Sequence, residues 1–222
     1  GWNTVNKVRT PLKATDFSSY IAPVLNSGAD VLVLNHYGGN MVNSLTNAVQ
    51  FGLRDKVVNN KNFEIIVPLY SRLMAKGAGA NVKGIFGSTN WHWSLQDEGS
   101  KAFVKSFGTK YGFPPSQAAH TVYCQTLLYA DACNRAGTFN PCGVGEALEG
   151  FEFDGLGNGK TLYRADDHQC FKDVLVVKGK ENPTSEFDLL EIVEVTPMEQ
   201  VKYAPDHPMF AGGDLGACNP GA

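Results

Sequence analysis

A short apolar run, a glycine loop and a helical pattern follow one another within residues 29–53, and this stretch constrains the fold more than any other. Residues 31–34 are continuously apolar, which is typical of a short strand buried on both faces. Residues 35–39 form a loop with paired glycines, and apolar residues then recur at helical spacing over 40–52. This order predicts one half of a parallel βαβ unit.

The loop at 35–40 is the first candidate binding site. In open α/β sheets, ligands bind at the carboxyl ends of the strands, where this loop is expected to lie. Gly38 and Gly39 would let backbone N–H groups approach a ligand, and the helix that begins near Asn40 adds a partial positive charge suited to a carboxylate. The alternative is that the glycines form only a tight turn. The loop lacks the dinucleotide-binding spacing, so we expect no cofactor.

Composition limits the class of protein. The chain has 222 residues, of which 43% are hydrophobic and 18% charged, enough for one large or two small domains. The formal net charge of −3 gives no indication of binding to nucleic acid or to an anionic membrane. No apolar run is long enough to span a bilayer, and the first residues do not resemble a signal peptide. We therefore expect a globular chain that is a mature form or a fragment.

Strand and helix patterns alternate through residues 1–87. They predict a strand at 3–10, a helix from 15 to 26 that Pro23 kinks or shortens, and a strand at 64–67. Alternation of this kind predicts a parallel sheet with helices on both faces.

The pattern changes after residue 88. Helices follow one another within 97–150, including a long one at 116–135, with no strand between the first two. Strand patterns dominate from residue 160, and the last 25 or so residues are rich in proline and glycine. We expect the helices to belong to another layer or lobe, and the tail to lie extended on the surface.

The sequence gives no positive case for catalysis. Residues 154–161, D-G-L-G-N-G-K-T, mimic a phosphate-binding loop, but Asp154 replaces its first glycine and a strand pattern follows, so we predict a β-turn. Residues 166–168, D-D-H, point to alternate faces of a strand-like segment, so we expect no metal site. His36 lies beside the glycine loop, and a packing role is at least as good an interpretation as a functional one.

Aromatic residues at predicted strand ends are a better indication of a binding site. Tyr37, Tyr70, Trp91 and Trp93 fall at or just beyond such ends. An aromatic wall combined with backbone donors is suited to holding a small organic ligand. The alternative is that the tryptophans pack in the core or between lobes.

The five cysteines form no CxxC pair, so we expect no metal cluster. Cys133 and Cys142 flank a short polar loop that a disulfide can bridge, Cys170 is a possible partner for Cys218 in the tail, and Cys124 is interpreted as a buried free thiol. Such pairing favours an oxidising compartment. The alternative is five reduced cysteines in a cytosolic protein.

Several motifs, taken in order, resemble one known family. They are T-D-F-S-S-Y-I at 15–21, G-A-D-V-L-V-L at 28–34, Tyr37-Gly38-Gly39, Q-F-G-L at 50–53, S-K-A-F-V-K-S-F-G-T-K-Y-G at 100–112, P-P-S-Q-A-A at 114–119, A-G-T at 136–138, E-A-L-E-G at 146–150 and D-H-Q at 167–169. Together they are similar to the carboxyl-terminal part of type I periplasmic binding proteins, the Leu/Ile/Val-binding family of ABC importers. The resemblance covers nearly all of residues 1–196.

The resemblance implies an α/β Venus-flytrap fold, a parallel sheet flanked by helices, in which two lobes joined by three crossovers close on a ligand. It assigns residues 1–90 to the second lobe, 91–165 to helices and a strand of the first lobe, 166–196 to strands returning to the second lobe and 197–222 to an extended tail. Most of the first lobe is then absent. We expect a separate chain or a missing segment to complete it.

The resemblance also implies which residues contact the ligand. Together with the aromatic pattern, it gives the expected ligand-binding set: Tyr37, Gly38, Gly39, Asn40, Tyr70 and Trp91. The acidic residue that the family uses for an ammonium group is not evident at 69–71. We therefore expect a small organic ligand, which is an amino acid, an amide or an organic or aromatic acid, without strict branched-chain specificity.

The function implied is that of a non-enzymatic, periplasmic solute-binding component of a bacterial ABC importer. It would work with a permease in the inner membrane and be secreted through a signal peptide that this chain does not contain. Two alternatives stay open. The same fold can serve as a sensor or a structural subunit of a larger periplasmic complex, or a doubly wound fold can carry a hydrolase or transferase that depends on His36.

Overall fold

The computed structural model describes residues 2–208 and residue 218. The α-helices in this part of the chain are α1 (Ser18–Ile21), α2 (Gly38–Gln50), α3 (Arg72–Ala78), α4 (Glu98–Tyr111), α5 (Gln117–Ala136), α6 (Pro141–Leu148) and α7 (Met198–Val201). The strands are β1 (Val31–Val33), β2 (Val57–Val58), β3 (Lys61–Asn62), β4 (Glu64–Val67), β5 (Phe86–Thr89), β6 (Glu152–Phe153), β7 (Thr161–Tyr163), β8 (Cys170–Phe171), β9 (Val174–Gly179) and β10 (Leu190–Thr196).

The chain divides into two compact units. Unit 1 consists of residues 2–89 and 175–194, and unit 2 consists of residues 90–174 with the described residues from 195 onward. The chain therefore passes from one unit to the other three times, at 89–90, 174–175 and 194–195. The assignment of four segments to two lobes, made above from the resemblance, remains a prediction.

A five-stranded sheet in the order β1-β4-β5-β9-β10 forms the centre of unit 1. The pairs β1–β4 and β4–β5 are parallel, whereas β9 runs antiparallel to β5. Helices α2 and α3 pack closely, since a Cβ atom added at Gly77 would lie 2.9 Å from Val42 Cγ2. The predicted α/β fold, with a mostly parallel sheet flanked by helices, is confirmed. Because β1, β4 and β5 run in parallel, their carboxyl ends share one edge of the sheet.

Two expectations for unit 1 are wrong. The run at 31–34 is not buried on both faces, because β1 is the edge strand of the sheet and Val33 is 38% exposed. The residues expected to form a strand at 3–10 have no regular secondary structure and lie outside any described sheet, and Val5 and Val8 are each 57% exposed. In both cases the residues suit a strand, but burial depends on a neighbouring strand that the local sequence does not specify.

Helix ends follow signals that are visible in the sequence. The side chains of Ser71, Asp97 and Ser116 cap α3, α4 and α5 by accepting hydrogen bonds from backbone N–H groups in the first turn. Gly112 and Gly137 follow α4 and α5 in the left-handed region, with φ of 79° and 65°. The caps of α4 and α5 fix the ends of the two helices that carry Phe103 and His120, which are buried in unit 2.

In unit 2, α5 packs against α6 around a small apolar cluster, and β6, β7 and β8 form an antiparallel sheet. Cys142 in α6 forms a disulfide with Cys218, with their Cα atoms 5.5 Å apart. Both expected pairings are therefore wrong: Cys133 is a free thiol buried in the α5–α6 core, and Cys170 is free.

Of the tail expected at 197–222, residues 197–208 and 218 are among the described residues. It begins with the short helix α7, and residues 209–217 and 219–222 lie outside the described residues. In the part of the chain that the structure describes, no helix is both long enough and apolar enough to cross a membrane.

A methyl group at Gly179 should disrupt the sheet of unit 1. A Cβ atom there would lie 1.7 Å from the backbone oxygen of Val82, beside the hydrogen bond from Gly179 N–H to the oxygen of Ile85. We expect Gly179→Ala to lower the free energy of unfolding by about 3 kcal/mol, as for an overpacked core. Urea unfolding followed by circular dichroism measures the loss.

The matched control is Gly145→Ala in α6, where an added Cβ atom meets no heavy atom within 4 Å. Alanine favours a helix, so we expect unchanged or slightly higher stability there. Equal stability of the Gly179→Ala variant and the unmodified protein would contradict the packing described for β9.

Candidate functional site

The loop after β1 leads directly into α2. Tyr37 is the N-cap residue of this 13-residue helix, but no side chain caps its N-terminus and its first turn holds no acidic residue. Tyr37 as a whole is 52% exposed, so the residue is accessible to a ligand. Gly38 has φ of 58° and no heavy atom within 4 Å of an added Cβ atom, so the backbone conformation, not space, explains this glycine. The loop thus combines an accessible ring with an uncapped positive helix end.

Asn40 and His36 fasten this loop to the rest of unit 1. The Asn40 side-chain amide donates to the oxygen of Leu12 at 3.1 Å. His36 Nε2 lies 3.0 Å from Thr10 Oγ1, and Nδ1 lies 2.9 Å from Ser44 Oγ. Because both ring nitrogens are engaged and burial lowers the pKa of His36, the packing interpretation of this residue is favoured over a general base.

Tyr70 follows the next parallel strand, β4, at the same edge of the sheet. Its N–H donates to the oxygen of Ser88 at 2.8 Å, and its ring lies so close to β5 that a Cβ atom at Gly87 would be 2.6 Å from Tyr70 Cδ1. The residue is 1% exposed, and burial raises the pKa of its phenol. Among the described residues its hydroxyl has no hydrogen-bond partner. A buried hydroxyl without a hydrogen-bond partner lowers the stability of the folded state by about 1–3 kcal/mol. A solute or water that hydrogen-bonds to it would restore this stability.

Trp91 lies in the interior of unit 2 and is 1% exposed. Its ring stacks on His120 with centroids 4.3 Å apart, and Trp91 Nε1 donates to Ser100 Oγ at 2.9 Å. These contacts favour the packing alternative for Trp91. No local pattern indicates a role for His120, because its neighbours in space, Trp91 and Leu156, lie 29 and 36 residues away along the chain.

Of the expected ligand-binding residues, Tyr37 is the N-cap of α2, and Gly38, Gly39 and Asn40 are its first three residues. Tyr70 follows the neighbouring strand of the same sheet, whereas Trp91 belongs to unit 2. The segments 34–41 and 68–72 contain no Asp or Glu, and their one formally charged side chain is the buried Arg72. These two segments therefore offer N–H groups and the exposed Tyr37, but no carboxylate for an ammonium group. Within the described chain, no group of three or more His, Cys, Asp or Glu residues is placed to hold a metal ion.

Comparison with protein families gives one clear match. Residues 1–184 match the family described as periplasmic binding protein. No curated protein sequence matches the chain at a significant level.

Solved structures of the same type are similar to this chain. A branched-chain amino acid ABC transporter periplasmic ligand-binding protein from Burkholderia xenovorans is 27% identical, with a TM-score of 0.71 over 88% of this chain and 51% of its own. A periplasmic binding protein from Burkholderia mallei is 26% identical, with a TM-score of 0.74 over 87% of this chain and 50% of its own.

A third structure is similar in fold alone. It is an ABC transporter solute-binding protein from Rhodopseudomonas palustris in complex with p-hydroxybenzoic acid, 17% identical, with a TM-score of 0.74 over 87% of this chain and 52% of its own. The chain therefore spans about half the length of these structures.

The burial of His120 should make unit 2 sensitive to acid. Burial lowers the pKa of His120 from 6.5 to about 4, although the hydrogen bond to the oxygen of Leu156 opposes the shift. The unfolded chain then binds more protons than the folded one between pH 6.5 and 4. We expect the free energy of unfolding of unit 2 to fall by up to about 3 kcal/mol as the pH drops through this window.

Unfolding of the unmodified protein and of His120→Gln at pH 7 and pH 4.5 tests this expectation. Gln keeps an N–H donor for Leu156 but does not titrate, so its pH dependence in this window should be smaller. The same pH dependence in both proteins would show that His120 is not the responsible group.

Proposed function

This chain belongs to the periplasmic binding protein family, and from that premise we propose that it forms part of the solute-binding component of an ABC importer. The observation that carries the proposal is the exposed loop at Tyr37, Gly38 and Gly39, which lies at the uncapped N-terminus of α2 and at the carboxyl edge of the parallel sheet. The solved structures of similar fold are ABC transporter binding proteins, which supports the same role here.

The proposed mechanism is binding without chemical change. Proteins of this family bind solutes for ABC transporters and are not enzymes, and the engagement of both His36 nitrogens gives no reason to propose otherwise here. Solute contacts made in the closed arrangement of two lobes would shift the population towards that arrangement. A permease in the inner membrane would then recognise the closed form, which places the protein in the bacterial periplasm.

The chemistry of the loop limits the solute. Uncapped N–H groups at the start of α2 favour a carboxylate or another acceptor, and the Tyr37 ring favours an apolar or aromatic body. Since neither 34–41 nor 68–72 supplies a carboxylate, recognition of an ammonium group by these segments is not favoured. We propose a small organic ligand bearing a carboxylate or an amide, with Tyr37, Gly38, Gly39 and Tyr70 in contact with it.

Substitutions at two tyrosines test this proposal. We expect Tyr37→Ala to weaken solute binding about tenfold or more, the loss typical of one aromatic contact. Tyr70→Phe removes a buried hydroxyl without a described partner, so the solute-free protein should keep or gain stability while the solute binds more weakly. Isothermal titration with leucine, benzoate and p-hydroxybenzoate as probes, and with any small molecule that copurifies, measures the affinities.

Val57→Ala is the matched control, since Val57 is 61% exposed in unit 1 and follows α2 rather than preceding it. It should leave both affinity and stability unchanged. A copurifying solute that binds equally well to Tyr37→Ala and to the unmodified protein would overturn the assignment of this loop.

The exposed apolar face of α5 bears on the other half of the proposed site. Apolar side chains on one face of α5 are exposed in the described chain: Val122 is 65% exposed and Tyr129, seven residues later, is 52% exposed. Because the chain spans about half the length of the similar structures, we propose that a preceding segment or a separate polypeptide covers this face and completes the first lobe.

Stability measurements with and without that half test the completion. In the isolated chain, Val122→Ser should change the free energy of unfolding little, because the side chain is already exposed. In the completed protein it should cost about 1–2 kcal/mol, because the side chain would then be buried. Native mass spectrometry identifies which polypeptide, if any, accompanies the chain.

Val57→Ser is the control, which should behave alike in both forms. Equal effects of Val122→Ser in the isolated chain and in the completed protein would contradict coverage of α5. A stable partner on a chain that never carries a solute would favour the alternative role as a sensor or structural subunit.

A further inference from the structure

The glycine-rich stretch at 154–159, D-G-L-G-N-G, has no part in the proposed solute site, yet it contacts the segments in which the chain passes between the two units. We propose that this stretch, here called the crossover clamp, fastens the three crossing segments to one another inside unit 2. Asn158 is its central positioning residue.

Asn158 joins the first two crossings. Its side chain is buried, and its Nδ2 donates to the backbone oxygens of Asn90 at 2.6 Å and of Asp173 at 2.9 Å. Asn90 is the first residue after the first crossing, and Asp173 stands two residues before Leu175, where the second crossing ends. One amide group therefore spans two segments that are 83 positions apart in the chain, as counted from Asn90 to Asp173.

Asp173 extends the link to the third crossing. Its Oδ1 accepts a hydrogen bond from the backbone N–H of Met198 at 2.8 Å, and Met198 follows the crossing at 194–195. The same carboxylate lies against the clamp, since a Cβ atom at Gly159 would be 2.8 Å from Asp173 Oδ2. Glycine at 159 suits both its φ of 70° and the close approach of the Asp173 side chain.

The clamp itself is anchored in unit 2 by buried polar groups. His120 Nε2 donates to the oxygen of Leu156 at 2.6 Å, and Lys172 Nζ donates to the oxygen of Gly157 at 3.1 Å. A Cβ atom at Gly99 would lie 2.2 Å from the oxygen of Gly155, so the start of α4 touches the clamp directly. These contacts hold the stretch against α4 and α5 on one side and against the crossing segments on the other.

The consequence concerns where the backbone bends. If the crossing segments are fixed to one another within unit 2, the φ and ψ changes of any motion between the units are confined to 89–90, 174–175 and 194–195. The clamp is a property of unit 2 and stands whether or not a solute binds. Its effect on solute affinity rests on the hinge closure proposed above.

Hydrogen exchange of the intact, solute-free protein tests the clamp. Asn158 has φ of 59°, so Asn158→Gly keeps a permitted backbone while it removes both donors. We expect exchange of the amides in 88–94, 172–176 and 195–200 to rise about tenfold, the factor of about one lost hydrogen bond. Exchange in α5 and α6 should not change.

Two further variants separate the clamp from general loosening. Asn60→Gly is the control, because Asn60 also has positive φ, 63°, but is exposed in unit 1. It should leave the crossing segments unchanged. Asp173→Ala keeps the backbone oxygen that Asn158 bonds but removes the carboxylate that accepts from Met198 N–H. Faster exchange should then be greatest at 195–200, and this variant keeps the test decisive if Asn158→Gly fails to fold.

A second readout measures motion directly. Spin labels on p-acetylphenylalanine at the exposed positions Lys61 and Lys105 report the distance between the units without using the free thiols of Cys124, Cys133 and Cys170. The distance distribution should broaden in Asn158→Gly and not in Asn60→Gly. Unchanged exchange and distances in Asn158→Gly, or exchange raised equally in α5 and α6, would overturn the proposal. Because no solute is added, failure here is distinct from failure of the solute-binding role.

Discussion

Parallel pairing of β1, β4 and β5 is the constraint on which unit 1 depends. It brings the residues that follow all three strands to one edge of the sheet, so that the loop before α2 and the turn before α3 become neighbours although they are about thirty residues apart. The pairing also brings Tyr70 close to β5. The ring fits there because residue 87 is a glycine, which has no Cβ atom to collide with it. The candidate site is therefore a result of strand direction as much as of residue type.

The sequence predicts best what depends on near neighbours. The strand at 64–67 and the helix at 116–135 were placed within a residue of β4 and α5, because apolar spacing and capping residues are local. The edge position of β1, the absence of a strand at 3–10 and the partner of Cys142 were not foreseen. Each depends on a segment far away in the chain, and no local pattern specifies it.

The crossover clamp of unit 2 shows the same limit. The sequence predicts a β-turn at 154–161 but not the carbonyl groups that Asn158 bonds, since Asn90 and Asp173 show no pattern of their own. Unit 2 satisfies several buried polar groups around this turn. Hydrogen bonds from Ser100 and Asn158 lower the pKa of Asp97 although burial raises it, and burial lowers the pKa of Lys172. Such a polar interior fixes geometry more strictly than an apolar one.

The bond between Cys142 and Cys218 closes a loop of 76 residues that contains β6 to β10 and α7. In the chain-entropy model, closing a loop of this length lowers the conformational entropy of the unfolded chain and so stabilises the folded state by about 4 kcal/mol. In a reducing environment Cys142 and Cys218 would stay thiols, and the folded protein would lack that stabilisation. Without the disulfide, non-covalent packing alone would hold the antiparallel sheet of unit 2 in place. The oxidation state of one cysteine pair therefore sets the stability of the carboxyl-terminal third of the chain.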